Sequence, residues 1–370
     1  MFDFGNANAA QREAISAADG PVLITAGPGT GKTYTLVQRA IFLIQEKNIQ
    51  PEQIFIATFT EKAEKELITR ITNELAVRNI SANVNEMYVG TFHSLCLRII
   101  KENLEHTRLK RNYRLLDTFD QKYLVFRNMH RFKNIEGIEE ALSKGGSWKW
   151  SEEICNYVNN LSEELVDADA LAADPDIAVR VLADMLVTYQ TLLTEENLID
   201  FSAIQTECYR LLTEKPDILE ALREKIRYIM IDEYQDTNNL QYQLAALLAD
   251  GWGNICVVGD DDQSIYKFRG ATIENILNFE KQYKNARTIR LEQNYRSTGR
   301  ILDAANHVIA NNTGRKGKTL WTKADAGDPL TLYCATNEND EARYIAAKIM
   351  DDFGQGINFR DHAVLYRMNA

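Results

Sequence analysis

The chain has 370 residues, 45% of them hydrophobic and 26% charged, enough for two or three domains with cores of their own and too apolar for wholesale disorder. Its formal net charge of -11 weighs against a polyanionic partner on average, because nucleic-acid binding rests on Lys and Arg neutralising phosphates. No apolar run approaches the roughly 20 residues of a membrane helix, and residues 1–11 lack the basic and apolar segments of a signal peptide, so a soluble cytoplasmic protein is expected.

The five cysteines, Cys96, Cys155, Cys208, Cys256 and Cys334, are widely spaced and without any CxxC pairing. They suggest neither a disulfide framework nor a zinc site, and buried, reduced thiols are expected. Charge is uneven along the chain. Acidic residues crowd residues 151–200, where Arg180 is the only opposing charge, while Arg98, Lys101, Arg108, Lys110, Arg111 and Arg114 form one basic cluster and Arg315, Lys316, Lys318 and Lys323 another. Each basic cluster reads either as solvated surface or as a contact for a polyanion.

In chain order, short β-type runs alternate with amphipathic helical stretches. "PVLITA" precedes a helix from Lys32, "QIFIATFT" precedes "EKAEKELITRITNELAVR", and "MYVGTF" precedes "HSLCLRII". This alternation predicts a parallel sheet with crossover helices. Over residues 98–199 strand signals give way to helical periodicity, broken at Gly145-Gly146 and Asp174-Pro175, which predicts a helical insertion. Strands resume with "YIMID", "NICVVGD", "RTIRLEQ" and "PLTLYCA", followed by the helix "DEARYIAAKIMDDF" and a last strand "HAVLYR".

The stretch "AGPGTGKT", residues 26–33, fits the phosphate-loop pattern with Ala26 in place of the opening glycine. Gly27, Gly29 and Gly31 permit a tight turn that points backbone N–H groups at phosphate oxygens, with Thr30 between them. Lys32 would reach the β and γ phosphates of ATP and Thr33 would hold Mg²⁺, at the positive end of the helix that follows. A magnesium site needs a second oxygen ligand, and hydrolysis needs a base. "YIMIDEYQD" supplies both: an adjacent parallel strand would bring Asp232 near Thr33, with Glu233 as the base. "VVGDDDQSIYKFRGA" places Gln263 where it could touch the γ phosphate or the attacking water. There Tyr266 and Phe268 alternate with Lys267 and Arg269, residue types that suit a stacking platform for single strands.

These motifs together resemble the superfamily 1A DNA helicases of the UvrD, Rep and PcrA type over residues 8–370. "NAAQREAI" is similar to the Q motif, implying that Gln11 reads adenine, and "TFTEKAEKEL" to motif Ia, implying that Phe59 contacts bases. "GTFHSLCLRII" resembles motif Ib, implying DNA-backbone contacts from Thr91 and His93. "LEQNYRST" resembles motif IV, implying that Tyr295 packs on adenine and that Arg296 reaches the γ phosphate from a second motor domain. Tyr34 stands where many relatives have Arg, and Phe268 where they often carry Trp.

The resemblance implies a RecA-like ATPase domain 1A over residues 1–97 and 200–289, an inserted helical 1B domain over 98–199, and a partial second RecA-like domain over 290–370. It implies ATP-driven 3′-to-5′ translocation on single-stranded DNA and at single-strand/duplex junctions, with a role in repair or replication, as a monomer or weak dimer. Such relatives continue with a 2B domain and motifs V and VI, so the chain is expected to be the N-terminal part of a longer protein. Two other readings stay open: an ATP- and single-strand-binding piece without unwinding activity, or the motor part of a helicase-nuclease of the AddA or RecB kind.

Overall fold

The structure is a computed structural model that describes residues 2–265 and 270–366. Its strands are β1 (Val22–Ala26), β2 (Ile54–Thr58), β3 (Tyr88–Thr91), β4 (Arg114–Leu115), β5 (Leu198–Ile199), β6 (Tyr228–Ile231), β7 (Ile255–Gly259), β8 (Arg287–Leu291), β9 (Gln293–Asn294) and β10 (Trp321–Thr322). Six of them form one sheet in the order β3-β2-β6-β7-β1-β8, and every pairing in it is parallel. The fold is therefore mixed α/β with a parallel sheet, as the alternation of runs predicts.

Alternate residues of each central strand serve opposite cores. Leu23, Phe55, Ile229 and Val257 pack on one face of the sheet, and Ile24, Ile56, Met230 and Val258 on the other. Burial on both faces is why these strands read as unbroken apolar runs. One expectation is corrected here. β7 lies between β1 and β6, so the strand leading to Asp232 is not adjacent to the one leading to the phosphate loop. Hydrophobic pattern specifies that a strand is central but carries no information on strand order.

Four helices start at the sheet edge that carries the site: α1 (Ala9–Ser16), α2 (Lys32–Lys47), α3 (Glu61–Val77) and α4 (Phe92–Glu102). Their entries are capped by local chemistry. Asn8 and Gln11 form a reciprocal capping box on α1, Thr60 accepts from the Ala63 N–H on α3, and Thr91 accepts from the Ser94 N–H on α4. The fully buried Arg39 on α2 donates to the carbonyls of Ala14 (2.7 Å) and Ala18 (3.1 Å), tying the end of α1 to α2.

The segment between α4 and β6 builds a separate core from Leu116, Phe132, Ile154, Met185 and Leu198 among others. It is helical as expected, except for the short parallel ladder between β4 and β5, two residues from each strand and too brief to leave a period in the sequence. Its helix Ile177–Glu195 is 19 residues long and apolar enough to cross a membrane by length and composition, which corrects the expectation that no run approaches that length. Val181, Met185, Leu186, Tyr189 and Leu192 of this helix are buried in the helical core.

The chain divides into two compact units, Met1–Ala324 and Asp325–Ala370. The second contains the helix Glu338–Gly354, capped by Asn337, with Tyr333 stacked on Tyr344 at 3.9 Å and Phe353 on Phe359 at 4.2 Å. The strands expected from "PLTLYCA" and "HAVLYR" are not formed among the described residues. Leu332 and Leu365 are 90% and 93% exposed, and an extended segment without a partner strand has no ladder to join. Cys334 lies in the first of these runs and is exposed, whereas the other four cysteines are buried as expected.

Truncating Phe132, which is fully buried at the centre of the helical core, should cost about 3–5 kcal/mol. Urea unfolding of Phe132→Ala measures this, and a loss below about 1 kcal/mol would show that the core does not close around the ring.

Candidate active site

The turn after β1 places Gly29 at φ +68° and Gly31 at φ +86°, both in the left-handed region that glycine alone enters without cost. A Cβ on Gly31 would come within 2.7 Å of Gln11 Nε2, and one on Gly29 within 2.6 Å of Asn294 Nδ2. The loop is thus pressed between α1 and the segment after β8, with no room for side chains. Thr30 fixes its inner curve by donating to the Gly27 carbonyl at 2.7 Å, and Ala26 is fully buried at the end of β1. α2 begins at Lys32, so its unpaired N–H groups face the turn.

This turn floors a cavity of about 640 Å³, within the range of small-molecule and cofactor sites. Gln11, Gly29, Gly31, Lys32 and Thr33 line one side, and Glu233, Gln263, Tyr295 and Arg296 the other. Residues far apart in sequence therefore converge within the unit Met1–Ala324, Arg296 included. Tyr295 is anchored twice: its N–H donates to the Gly29 carbonyl at 2.9 Å, and its hydroxyl accepts from Asn8 Nδ2 at 2.9 Å. Gln11 is buried and committed on both sides of its amide, accepting from the Asn8 N–H at 3.0 Å and donating to the Thr30 carbonyl at 3.0 Å.

Glu233 is the centre of the arrangement. Its backbone holds φ +49°, which a non-glycine residue adopts only when its surroundings impose it. Its carboxylate lies 2.8 Å from Lys32 Nζ and accepts from Gln235 Nε2 at 2.9 Å. Gln235 in turn accepts from the Asp260 N–H at 2.9 Å, linking the turns after β6 and β7.

Asp232 lines a different cavity, of about 450 Å³, together with Phe59, Thr91, His93 and Asp236. Glu233 lines both cavities. Thr91 uses its hydroxyl to cap α4, and its N–H donates to Glu64 at 3.1 Å. Burial holds the His93 pKa below the usual histidine value, and the ring meets the Gln205 amide at 2.6 Å. Burial thus disfavours its charged form and favours contact by hydrogen bonding. Tyr266, Phe268 and Arg269 lie outside the described residues.

Magnesium would draw on Thr33 and Asp232, both hard oxygen donors of the type this ion takes. Thr33 lines the larger cavity and Asp232 the smaller one; burial and the neighbouring Glu233 charge push Asp232 up to about 6, with Lys32 opposing them, so added positive charge would relieve this carboxylate.

Sequence reasoning missed the polar frame that holds the cavity. Asn294 donates to the Pro28 carbonyl at 2.6 Å and accepts from the N–H groups of Arg296 and Ser297, each at 2.8 Å. The basic cluster at residues 315–318 is neither solvated surface nor a free cationic patch, since Lys318 is buried against Asp260, Asp261 and Asp262. In the other cluster Arg98 pairs with Glu102 and Arg108 with Glu207. Both Gln235 and Asn294 sit inside motifs recognised in the sequence, but only the folded turns show what their amides join.

A phosphate loop at a parallel sheet edge, facing an acidic turn and an arginine, is the arrangement of a P-loop nucleotide-binding fold. The UvrD/REP helicase N-terminal domain family matches residues 7–284, and the UvrD-like helicase C-terminal domain family matches residues 289–370. The chain belongs to the UvrD/REP helicase family. It is similar to the ATP-dependent DNA helicase PcrA of Staphylococcus epidermidis strain ATCC 35984, 39% identical over 368 residues, covering 99% of this chain and 48% of the relative. The protein of the same name from Staphylococcus aureus strain Mu50 is 39% identical over 366 residues, covering 98% and 48%. The chain thus spans about half the length of the curated relatives it matches.

The Asp232 carboxyl yields a pH prediction. Its folded pKa of about 6 stands above the ordinary 3.8, so folding favours its protonated form. Stability falls as the pH climbs between those values, and the full cost, about 3 kcal/mol at most, is present above them. Asp232→Asn should therefore raise unfolding free energy by about 1–3 kcal/mol at pH 7.5 without added metal, and by little at pH 4. Urea titrations at the two pH values check this, and equal effects at both would remove the charge from the explanation.

Proposed function

We propose that this chain binds ATP in the larger cavity, hydrolyses it with Glu233 as general base, and takes single-stranded DNA along the smaller one. It would act as the motor part of an ATP-dependent DNA helicase. The single observation that carries this reading is Glu233, one carboxylate lining both cavities and held in a left-handed backbone conformation. The relatives of this chain that are named ATP-dependent DNA helicases support it.

Each residue has a role in this scheme. Lys32 would exchange its ion pair with Glu233 for the β and γ phosphates, which frees the carboxylate to accept a proton from water. Thr33 and Asp232 would hold magnesium, which when bound neutralises charge on those phosphates. Gln263 would stand beside the attacking water, and Arg296 would stabilise charge on the transferred phosphoryl group. Tyr295 and Gln11 would bound the adenine end, beside Asn8. Phe59, with Thr91 and His93, would contact the strand, joined by Tyr266, Phe268 and Arg269. In this reading the helical segment 98–199 is an inserted domain, and the chain after β8 begins a second motor domain. Polarity of 3′ to 5′, preference for single-strand/duplex junctions and a role in repair or replication rest on family membership.

Two variants separate binding from chemistry. Lys32→Ala should weaken ATP binding at least tenfold by isothermal titration, and unchanged affinity would sink the phosphate-loop assignment. Glu233→Gln should keep ATP affinity within a few-fold while lowering turnover by 10² or more. Hydrolysis at the original rate in that variant would place the base elsewhere.

A further inference from the structure

Three consecutive aspartates, Asp260, Asp261 and Asp262, follow β7, with a carboxylate oxygen of each within 4.8 Å of the others. Asp260 is fully buried and Asp261 nearly so. Three such charges cannot coexist in a buried turn without a cation. The chain supplies one. Lys318 Nζ lies 2.6 Å from Asp260, 2.7 Å from Asp261 and 2.7 Å from Asp262. Arg315 adds a bidentate pair with Asp262 at 2.8 and 2.6 Å, and the Lys316 N–H donates to Asp261 at 2.7 Å. The cluster is thereby closed by the protein's own cations, which leaves no opening for a metal ion.

The two oxygens of Asp260 face in different chemical directions. One meets Lys318, and the other accepts from Gln263 Nε2. An ionised carboxylate can only accept, so it fixes the nitrogen of the Gln263 amide against itself and leaves the carbonyl oxygen to other partners. Burial alone would push the Lys318 ammonium down, but Asp260 and the bonds to all three carboxylates outweigh it and hold it above the usual lysine value.

We infer that Lys318 is a positioning residue for Gln263: by holding the Asp260 carboxylate in its ion pair it sets the orientation of the Gln263 amide in the nucleotide cavity. This rests on the reading of that cavity as the ATP site. The same short segment reaches the phosphate loop two residues later, where a Cβ on Gly27 would strike Leu320 Cδ2 at 2.4 Å. One piece of chain thus registers Gln263 and the phosphate loop against each other. A carbonyl oxygen accepts from water and is repelled by phosphate, so Gln263 acts on the attacking water and its effect appears in turnover.

The test compares Lys318→Met and Lys318→Arg, each alone and combined with Gln263→Ala, by single-turnover ATP hydrolysis and ATP affinity. Lys318→Met should slow hydrolysis about tenfold with affinity within twofold, Lys318→Arg should recover most of the rate, and Lys318→Met should add nothing in the Gln263→Ala background. Hydrogen exchange gives a readout independent of activity: residues 260–263 should exchange faster in Lys318→Met, with residues 22–37 unchanged. Multiplicative losses in the double variant, or unchanged exchange at residues 260–263, would overturn the inference. Faster exchange throughout the chain would mean that Lys318 holds the fold as a whole, and would overturn it too. An unsubstituted chain that does not hydrolyse ATP would overturn the functional reading itself, and the inference with it.

Discussion

The ion pair between Lys32 and Glu233, 2.8 Å long, is the contact on which the arrangement turns. It joins the phosphate loop to the acidic turn across an intervening strand, and it occupies two groups that the proposed chemistry needs separately. Glu233 can hold its strained φ because its neighbours fix it from several sides. Gln235 bridges it to Asp260, and Asp232 accepts from its N–H at 3.0 Å. Such strain is supported by the surrounding packing and concentrates where function requires a fixed carboxylate.

That fixed carboxylate explains why two cavities share a wall. A parallel sheet delivers its strand ends to one edge, and ligands collect in the crevice beyond the carboxyl ends of the strands. Here β1 and β7 end at the larger cavity, while β2 and β3 end at Phe59 and Thr91 beside the smaller one. The turn after β6 lies between the two groups, so any movement of Glu233 is felt in both. Coupling of this kind needs no long pathway, only one element that both ligands bias.

Much of this was legible in the sequence, for a physical reason. The phosphate loop is a contiguous stretch whose glycines must follow one another at fixed spacing, so the convergence of Gly29, Gly31, Lys32 and Thr33 on one cavity could be expected directly. Asp232 and Glu233 were recognisable because an apolar strand ends on them. Long-range contacts were not legible. Lys318 meets Asp260 from 58 residues away, and nothing in either stretch specifies the other. Strand order was equally hidden, since β6 and β7 are both apolar and either could neighbour β1. The runs at residues 329–335 and 362–366 show the converse: among the described residues neither pairs with a strand, and β-type composition alone does not make one.

Acidic composition obscured one further point. The net charge of -11 reflects in part an acidic helical insertion, and Arg98, Arg108 and Arg315 are paired with Glu102, Glu207 and Asp262. The most direct test of a shared Glu233 wall is the affinity of the chain for a short oligothymidylate, measured with and without a saturating non-hydrolysable ATP analogue. The account predicts a change of several-fold, mirrored by an equal change in nucleotide affinity when the oligonucleotide is saturating. Identical affinities in the two conditions would contradict it.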